Sequence, residues 1–255
     1  MRAVQHTLNL AWREAWAKRT NFWWSIAIMV INDLVWVLFW VIVMRRAGDI
    51  RGWSTQRVLL LQAILTTSSG VALGVLGSSR RIVELVSTGT LDSILSLPTP
   101  TLPQVLVRRI EPVHLGDTIF GVGLFIALGG LTLTRGGLFV LTTLCATVVL
   151  TSFLVMLGSI TFFSERSEIS ESGFHALLLF SAYPIDIFSG VLKVSLHLIV
   201  PAAFVTGLPV EIVSEFSWTT LASLVGFTFA IAVAATAVFA AGLRRYTSGA
   251  GWTTS

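Results

Sequence analysis

Long runs of apolar residues, separated by short segments that carry most of the charges, dominate this sequence. A helix needs roughly 20 apolar residues to cross the hydrocarbon core of a bilayer. We therefore predict an all-α membrane protein with six transmembrane helices. The predicted spans are Phe22–Met44, Val58–Ser78, Val113–Leu133, Leu138–Phe163, an interrupted Phe174–Ile199, and Thr219–Leu243.

Composition supports a membrane protein. Charged residues make up 12% of the chain and hydrophobic residues 54%, whereas soluble domains carry about 25% charged residues. The apolar runs are continuous rather than alternating, which argues against a membrane β-barrel. We expect residues 1–255 to form a single transmembrane domain with no separate aqueous domain.

The distribution of basic residues predicts the orientation. If both termini are cytoplasmic, most arginines and lysines lie on the inside, as the positive-inside rule requires. Arg45, Arg46, Arg51 and Arg57, in the first predicted outer loop, oppose this assignment. The net charge of +4 is ordinary for such a protein and does not indicate a nucleic-acid partner.

The N-terminal segment, residues 1–20, is predicted to be an amphipathic helix rather than a signal peptide. Its apolar face consists of Val4, Leu8, Ala11, Trp12, Ala15 and Trp16. Such a helix lies in the membrane interface with its tryptophans at headgroup level. The alternative is a positively flanked start to the first span.

The longest predicted cytoplasmic segment is residues 80–109, which reads as two short helices separated by a break. Gly89 can end the first helix, and Thr90 or Asp92 can start the second. We expect Pro98, Pro100 and Pro103 to terminate it. An ordered segment here would contact a soluble partner; the alternative is a solvated loop.

Residues 184–218 are predicted to be a broken outer segment, because Pro184 and Pro201 interrupt the helical hydrogen bonding. We expect a helix to about Ser189, a partly re-entrant helix, and a turn through residues 207–209. Broken backbone at membrane depth requires cover from protein or a water-filled cavity.

Ionisable residues within apolar segments are candidate lining residues of a substrate path. Asp33 in mid-span costs about 2.5–3.5 kcal/mol, so we expect it to line a substrate path or to pair across helices. The alternative is that it is neutral and bonded to Asn32 or to another helix. Trp36 and Trp40 follow it along the same helix.

Asp186, Lys193 and His197 share one face if their segment is a continuous helix. Two turns separate the aspartate from the lysine, so we expect each to pair elsewhere, in a gating role or at the interface.

Two further patterns have structural interpretations. Glu111 and Asp117, with His114 between them, are expected to satisfy the amides that begin the third span. Gly70 and Gly74 have the spacing of a close helix-packing face.

The sequence lacks the motifs of several enzyme classes. A P-loop requires a lysine after glycine, and Lys18 and Lys193, the two lysines of the chain, do not follow one. No His-Glu-x-x-His zinc motif occurs, and Cys145 is the single cysteine. We therefore predict no catalytic residues, no metal site and no cofactor in this chain.

The residues Gly89-Thr90-Leu91-Asp92-Ser93-Ile94-Leu95-Ser96-Leu97-Pro98 resemble the cytoplasmic motif of permease subunits of type-2 ABC exporters. Tyr183-Pro184, residues 199–204 and Leu208-Pro209 are similar to that family's outer-mouth pattern. Within the family, the chain most resembles half-size permeases related to bacterial viologen exporters.

The resemblance implies a bacterial inner-membrane permease that pairs with a second, identical or different, six-span permease and with cytoplasmic ATPases that hold ATP and Mg²⁺. It implies export of a drug-like, cationic or amphipathic compound, with a lipid or peptide as the alternative. The residues implied to couple to the ATPase are Arg80, Arg81, Glu84, Gly89, Leu91, Asp92, Leu95 and Pro98.

Two other hypotheses remain open at this point. The chain could be a non-transporting membrane scaffold or an immunity protein. It could also be a membrane-embedded enzyme that uses Asp33, His114 or His197.

Overall fold

The computed structural model describes residues 2–129, 132–164 and 168–246. Within these ranges the regular structure is helical, apart from an isolated bridge between Ile50 and Trp53. The α-helices are α1 Arg2–Ala17, α2 Arg19–Ala47, α3 Thr55–Gly74, α4 Ile82–Ser87, α5 Asp92–Leu95, α6 Thr101–Leu106, α7 Pro112–Ala127, α8 Leu133–Ser159, α9 Glu168–Ser181, α10 Gly190–Leu198, α11 Leu208–Ser214 and α12 Trp218–Leu243.

Four described helices are long and apolar enough to cross a membrane: α2, α3, α8 with its extension to Phe162, and α12. A fifth candidate is the pair Gly190–Leu198 and Ala203–Ser214, which is bent by 73°. The structure thus supports four or five of the six predicted spans. The predicted third span is represented by α7, whose 16 residues rise only about 24 Å, and its predicted end extends into residues 130–131, outside the described ranges.

The predicted span Phe174–Ile199 is divided into several pieces. Its first helix, α9, ends at Ser181 and not near Ser189, because Tyr183 precedes Pro184 and a residue before proline disfavours the helical conformation. A short 3₁₀ turn, Ile185–Ile187, follows, and Gly190 with φ of +61° starts α10 in a new direction. The predicted interruption is therefore correct, but it comes earlier than expected.

The predicted turn at residues 207–209 is wrong. A π-helical segment, Ala203–Gly207, leads directly into α11. Pro209, which has no backbone N–H to donate, lies where the π-helical segment passes into α11.

Helices α3 and α8 form the centre of the bundle, whereas α2 and α12 lie at its edge. In their most apolar windows, 83% of α3 and 67% of α8 is buried, compared with 17% of α2 and 22% of α12. The exposed faces of α2 and α12 are apolar, as expected of surfaces that face lipid or another membrane protein.

Glycines bring α7 into close contact with its two neighbours. A Cβ at Gly70 of α3 would overlap Thr118 and lie 2.8 Å from the backbone oxygen of His114. On α7, a Cβ at Gly116 would lie 2.8 Å from the backbone oxygen of Ile26 in α2. The predicted packing face of α3 is confirmed, and its partner is α7.

The predicted amphipathic helix is present as α1, and the side of it that holds Ala11 packs against the protein. Ala11 is buried, and the Trp16 ring lies 4.9 Å from that of Phe22, edge to face. Thr7 Oγ1 donates a hydrogen bond to Gln104 Oε1 at 2.8 Å, which joins α1 to α6.

Candidate functional site

A groove of about 460 Å³ lies between α2 and α9, with α3 as its floor and α7 at one end. Its lining is mostly apolar but includes a group of polar and ionisable side chains. The lining residues are Met29, Asn32, Asp33, Trp36, Gln62, Leu65, Thr66, Ser69, Leu73, His114, Asp117, His175, Ala176, Leu178, Leu179 and Ala182.

Two carboxyl groups from different helices meet in this groove. Asp33 of α2 is 5% exposed and Asp117 of α7 is 3% exposed, and the two side chains are neighbours in the groove lining. The close approach of α7 to α2 at Gly116 produces this contact, because Gly116 directly precedes Asp117. Asp33 thus lies beside a carboxyl group of another helix and beside Asn32, and whether it lines a substrate path stays a prediction.

Each carboxyl group has one protein partner and one oxygen without a donor. His114 Nδ1 lies 3.1 Å from Asp117 Oδ2, and the Asn32 side chain is hydrogen-bonded to Asp33. The buried oxygens Asp33 Oδ2 and Asp117 Oδ1 have no hydrogen-bond donor among the described residues. The pair therefore has unused capacity to accept hydrogen bonds, although both oxygens are shielded from solvent.

The other polar side chains on the groove floor serve the protein itself. Gln62 Nε2 donates to the backbone oxygen of Ala182 at 3.1 Å, and Thr66 Oγ1 donates to the backbone oxygen of Gln62 at 2.8 Å. The first bond ties α3 to the end of α9. The carboxyl pair is the part of the groove whose hydrogen-bonding capacity is incompletely used.

The expected capping role of Asp117 is wrong. Helix α7 begins at Pro112, and neither Glu111 at its N-cap nor Asp117 bonds its first amides. Asp117 lies five residues into the helix and faces α2, while Glu111 pairs with Arg109 at 3.0 Å. A glycine directly before a carboxylate in an otherwise apolar helix was the available signal that this side faces another helix.

The two predicted tryptophans lie in different environments. Trp36 lines the groove and is 37% exposed. Trp40 is 2% exposed and packs edge to face against Tyr183, with 5.5 Å between ring centroids. The structure brings Trp36, but not Trp40, together with Asp33.

Asp186, Lys193 and His197 lie together in the broken segment, away from the groove. Lys193 Nζ donates to Asp186 Oδ1 at 2.7 Å, and Trp53 Nε1 donates to Asp186 Oδ2 at 2.9 Å. His197 Nδ1 lies 2.8 Å from the backbone oxygen of Lys193. The expectation that Asp186 and Lys193 do not reach each other is wrong, because the chain folds back at Ser189–Gly190 instead of continuing as one helix.

Burial raises the pKa of Asp186, but the hydrogen bonds from Lys193 and Trp53 outweigh it and leave this pKa below its ordinary value. The carboxylate is thus held in its charged form.

The arginines of the first predicted outer loop also have structural partners. Arg51 donates to the backbone oxygens of Asp186 and Ile187, and Arg57 pairs with Glu215 at 2.7 Å. Arg45 and Arg46 lie in the last turn of α2, where positive charge is favourable. These local roles account for arginines that oppose the predicted orientation.

Residues 80–109 contain three short helices, α4, α5 and α6, whereas two helices separated by a break were predicted. Gly89 has φ of +69° and follows α4, where a residue with a side chain would be strained. Leu91 and Ile94 are 1% and 2% exposed and belong to a cluster with Val155 of α8 and Phe239 of α12. The segment is thereby anchored to α8, at the centre of the bundle, and to α12, at its edge.

One expected detail of this segment is wrong. Helix α5 ends at Leu95, before Pro98, but Pro103 lies inside α6 and does not terminate a helix. Asp92 is the first residue of α5, in agreement with one of the two predicted starts.

Charged residues of the segment are paired with each other and with α9. Arg80 pairs with Glu171 of α9 at 2.7 Å, and its guanidinium lies 4.1 Å from the centre of the Phe174 ring. Arg81 bonds both oxygens of Glu84 at 2.8 Å, which holds the pKa of Glu84 below its ordinary value. The exposed tip of the segment is apolar, with Leu95 40% and Leu97 47% exposed next to Pro98.

The three residues named by the enzyme hypothesis do not all lie together in the described structure. His197 lies in the broken segment, apart from the groove that holds Asp33 and His114. Within the described ranges, no group of three or more His, Cys, Asp and Glu side chains could hold a metal ion.

Three comparisons with known proteins gave one match, to a protein family. Neither a curated protein nor a solved structure matches the chain. Residues 23–250 match the profile of a family described as ABC-2 family transporter protein. Since this match covers most of the sequence, the chain belongs to the ABC-2 transporter family and is the membrane subunit of such a transporter.

Proposed function

We propose that this chain is a half-size permease of an ATP-driven exporter in the bacterial inner membrane, with both termini in the cytoplasm. Two such six-span permeases, identical or different, form the substrate path between them. Separate cytoplasmic ATPases bind ATP and Mg²⁺ and drive the transport of a drug-like, cationic or amphipathic compound. The relation to viologen exporters belongs to this proposal.

The observation that carries the proposal is the construction of residues 80–109. A segment that transmits force must be rigidly joined to membrane helices and must present a surface to the motor. Leu91 and Ile94 are buried against α8 and α12, while Leu95 and Leu97 leave an apolar edge uncovered at the tip. Exposed leucines on a short ordered segment suit the hydrophobic centre of a protein interface.

The test uses the exposed tip. We expect Leu95→Glu and Leu97→Glu to abolish co-purification with the ATPase subunit, because each places a charge in the centre of the interface. Phe216→Glu is the matched control, since Phe216 is 46% exposed and lies before the start of α12, while the segment packs near its end.

The proposal predicts an intact complex for Phe216→Glu and no ATPase activity for the purified permease alone. A wild-type chain that binds none of the nucleotide-binding subunits co-expressed with it would contradict the proposal and favour a non-transporting scaffold.

A further inference from the structure

We propose that the carboxyl pair Asp33–Asp117 is a binding site for the protonated amine of an amphipathic cargo, which the site exchanges for a proton. This inference deepens the proposed function and rests on it, since it assigns the cargo chemistry to one groove of the permease.

Two ionised carboxylates cannot hydrogen-bond each other, because both would act only as acceptors. Asp33 and Asp117 are each at least nine-tenths buried and are neighbouring carboxyl groups in the lining of one groove. A proton or another cation must therefore lie between them, since burial of two uncompensated charges is prohibitively costly. In the absence of cargo, a proton fills this role.

The two oxygens without a donor are shielded from solvent, although their side chains line the groove, and a ligand reaches them by taking the place of the proton between them. They are Asp33 Oδ2 and Asp117 Oδ1. A protonated amine has several N–H donors and a positive charge, so it can bond both oxygens and replace the bridging proton. The proton then leaves to solvent, and the positive charge of the ammonium group compensates the carboxylates in its place.

The remainder of the groove suits the apolar part of such a ligand. Trp36 and Leu179 are 37% and 52% exposed on opposite walls, and Leu178 lies beside them. The outer face of α2 next to the groove is apolar, and its residues Ile31 and Val35 are 61% and 59% exposed. An amphipathic molecule in the bilayer can therefore bring its apolar body along α2 and its ammonium group to the carboxyl pair.

The histidines around the pair are the other groups that could exchange protons. His114 bonds Asp117 from α7, and His175 of α9 lines the groove, where its Nε2 lies 2.9 Å from Glu171. The groove-lining residues of α3, including Gln62 and Thr66, have no titratable side chain. The experiment must therefore show whether a proton released on binding comes from the carboxyl pair or from one of these histidines.

The probe is dansylcadaverine, a primary amine attached to an aromatic fluorophore, added to the full chain in lipid nanodiscs. We expect Asp33→Asn and Asp117→Asn each to weaken binding about tenfold or more, as for the loss of a charge-assisted hydrogen bond. Asp186→Asn is the matched control, because Asp186 bonds Lys193 and Trp53 in another part of the protein. Its affinity should equal that of the wild type.

Two modified probes test the chemistry of recognition. N-acetyl dansylcadaverine lacks both charge and ammonium donors and should not bind at the concentrations used. The N-trimethyl probe keeps the charge but has no N–H on its ammonium group, and it should bind more weakly than the primary amine. Equal binding of all three probes would overturn the inference, because the groove would then recognise only the fluorophore.

Proton release identifies the exchange. In weakly buffered solution, binding of the primary amine to the wild type should release about one proton per ligand. Asp117→Asn should abolish the release, while His175→Gln should retain it. Release that persists in Asp117→Asn and disappears in His175→Gln would overturn the assignment to the carboxyl pair.

The result is independent of the test for ATPase docking. A chain that forms the ATPase complex but does not distinguish the three probes keeps the proposed function and refutes the amine site. If the asparagine variants do not fold, the three-probe comparison on the wild type still decides the question.

Discussion

Asp186 and Asp33, two ionisable residues in apolar segments, each lie beside a second ionisable residue because of the local path of the backbone. Asp186 meets Lys193 because the backbone reverses between them, and Asp33 meets Asp117 because a glycine lets two helices touch. Both contacts depend on backbone geometry that is absent from residue spacing alone. If the segment were one continuous helix, the residue spacing would place Asp186 and Lys193 two turns apart and out of contact.

A prediction at this scale concerns Asp186→Asn. The variant loses the charge that Lys193 and Trp53 bind, and we expect the free energy of unfolding to fall by about 1 kcal/mol or less, because the pair is partly exposed. Asp49→Asn, an exposed residue of the loop before Arg51, should leave stability unchanged. Thermal unfolding of the purified proteins near neutral pH measures the difference.

The pH dependence of that difference follows from the lowered pKa. The stabilisation from Asp186 is complete at pH values above its ordinary pKa of 3.8 and is lost as the pH falls through the lower pKa of the folded state. Wild type and Asp186→Asn should therefore converge in acid. A difference that grows below pH 3.8 would show that the pair is not responsible.

At the scale of helices, the sequence predicts long elements better than short ones. The spans α2, α3, α8 and α12 follow directly from long apolar runs, because length and hydropathy alone specify them. Helices α7 and α9 end earlier than expected, since Gly129 has φ of +70° after one and Pro184 follows the other. The carboxyl pair was only half predicted, because it depends on the packing of α7 and not on its composition.

A prediction at this scale compares two glycines of α7. A Cβ at Gly121 would overlap Thr66 and Thr67 and lie 2.7 Å from the backbone oxygen of Ala63, whereas one at Gly123 meets no atom within 4 Å. We expect Gly121→Val to destabilise the protein by about 1–3 kcal/mol through overpacking. Gly123→Val is the matched control, and equal melting temperatures for the two variants would disprove close packing of α3 and α7.

At the scale of the whole molecule, α9 connects the segment of residues 80–109 with the groove. Its first turns hold Glu171, which pairs with Arg80, and its later turns supply Ala176, Leu178 and Leu179 to the groove wall. Because α9 is a single helix, displacement of its start also displaces the groove wall. An ATPase that moves residues 80–109 would thereby change the width of the groove.

The corresponding prediction uses a fluorophore on Leu179→Cys in a Cys145→Ala background, in complex with the ATPase. ATP should change its emission in the otherwise unaltered chain, because the Arg80–Glu171 pair transmits the movement to α9. Arg80→Gln should abolish this response while the complex stays intact, and the exchange Arg80→Glu with Glu171→Arg should restore part of it. Arg57→Gln is the control, since Arg57 pairs with Glu215 outside this segment. An unchanged ATP response in Arg80→Gln would mean that force reaches the groove through the buried contacts of Leu91 and Ile94 with α8 and α12 instead.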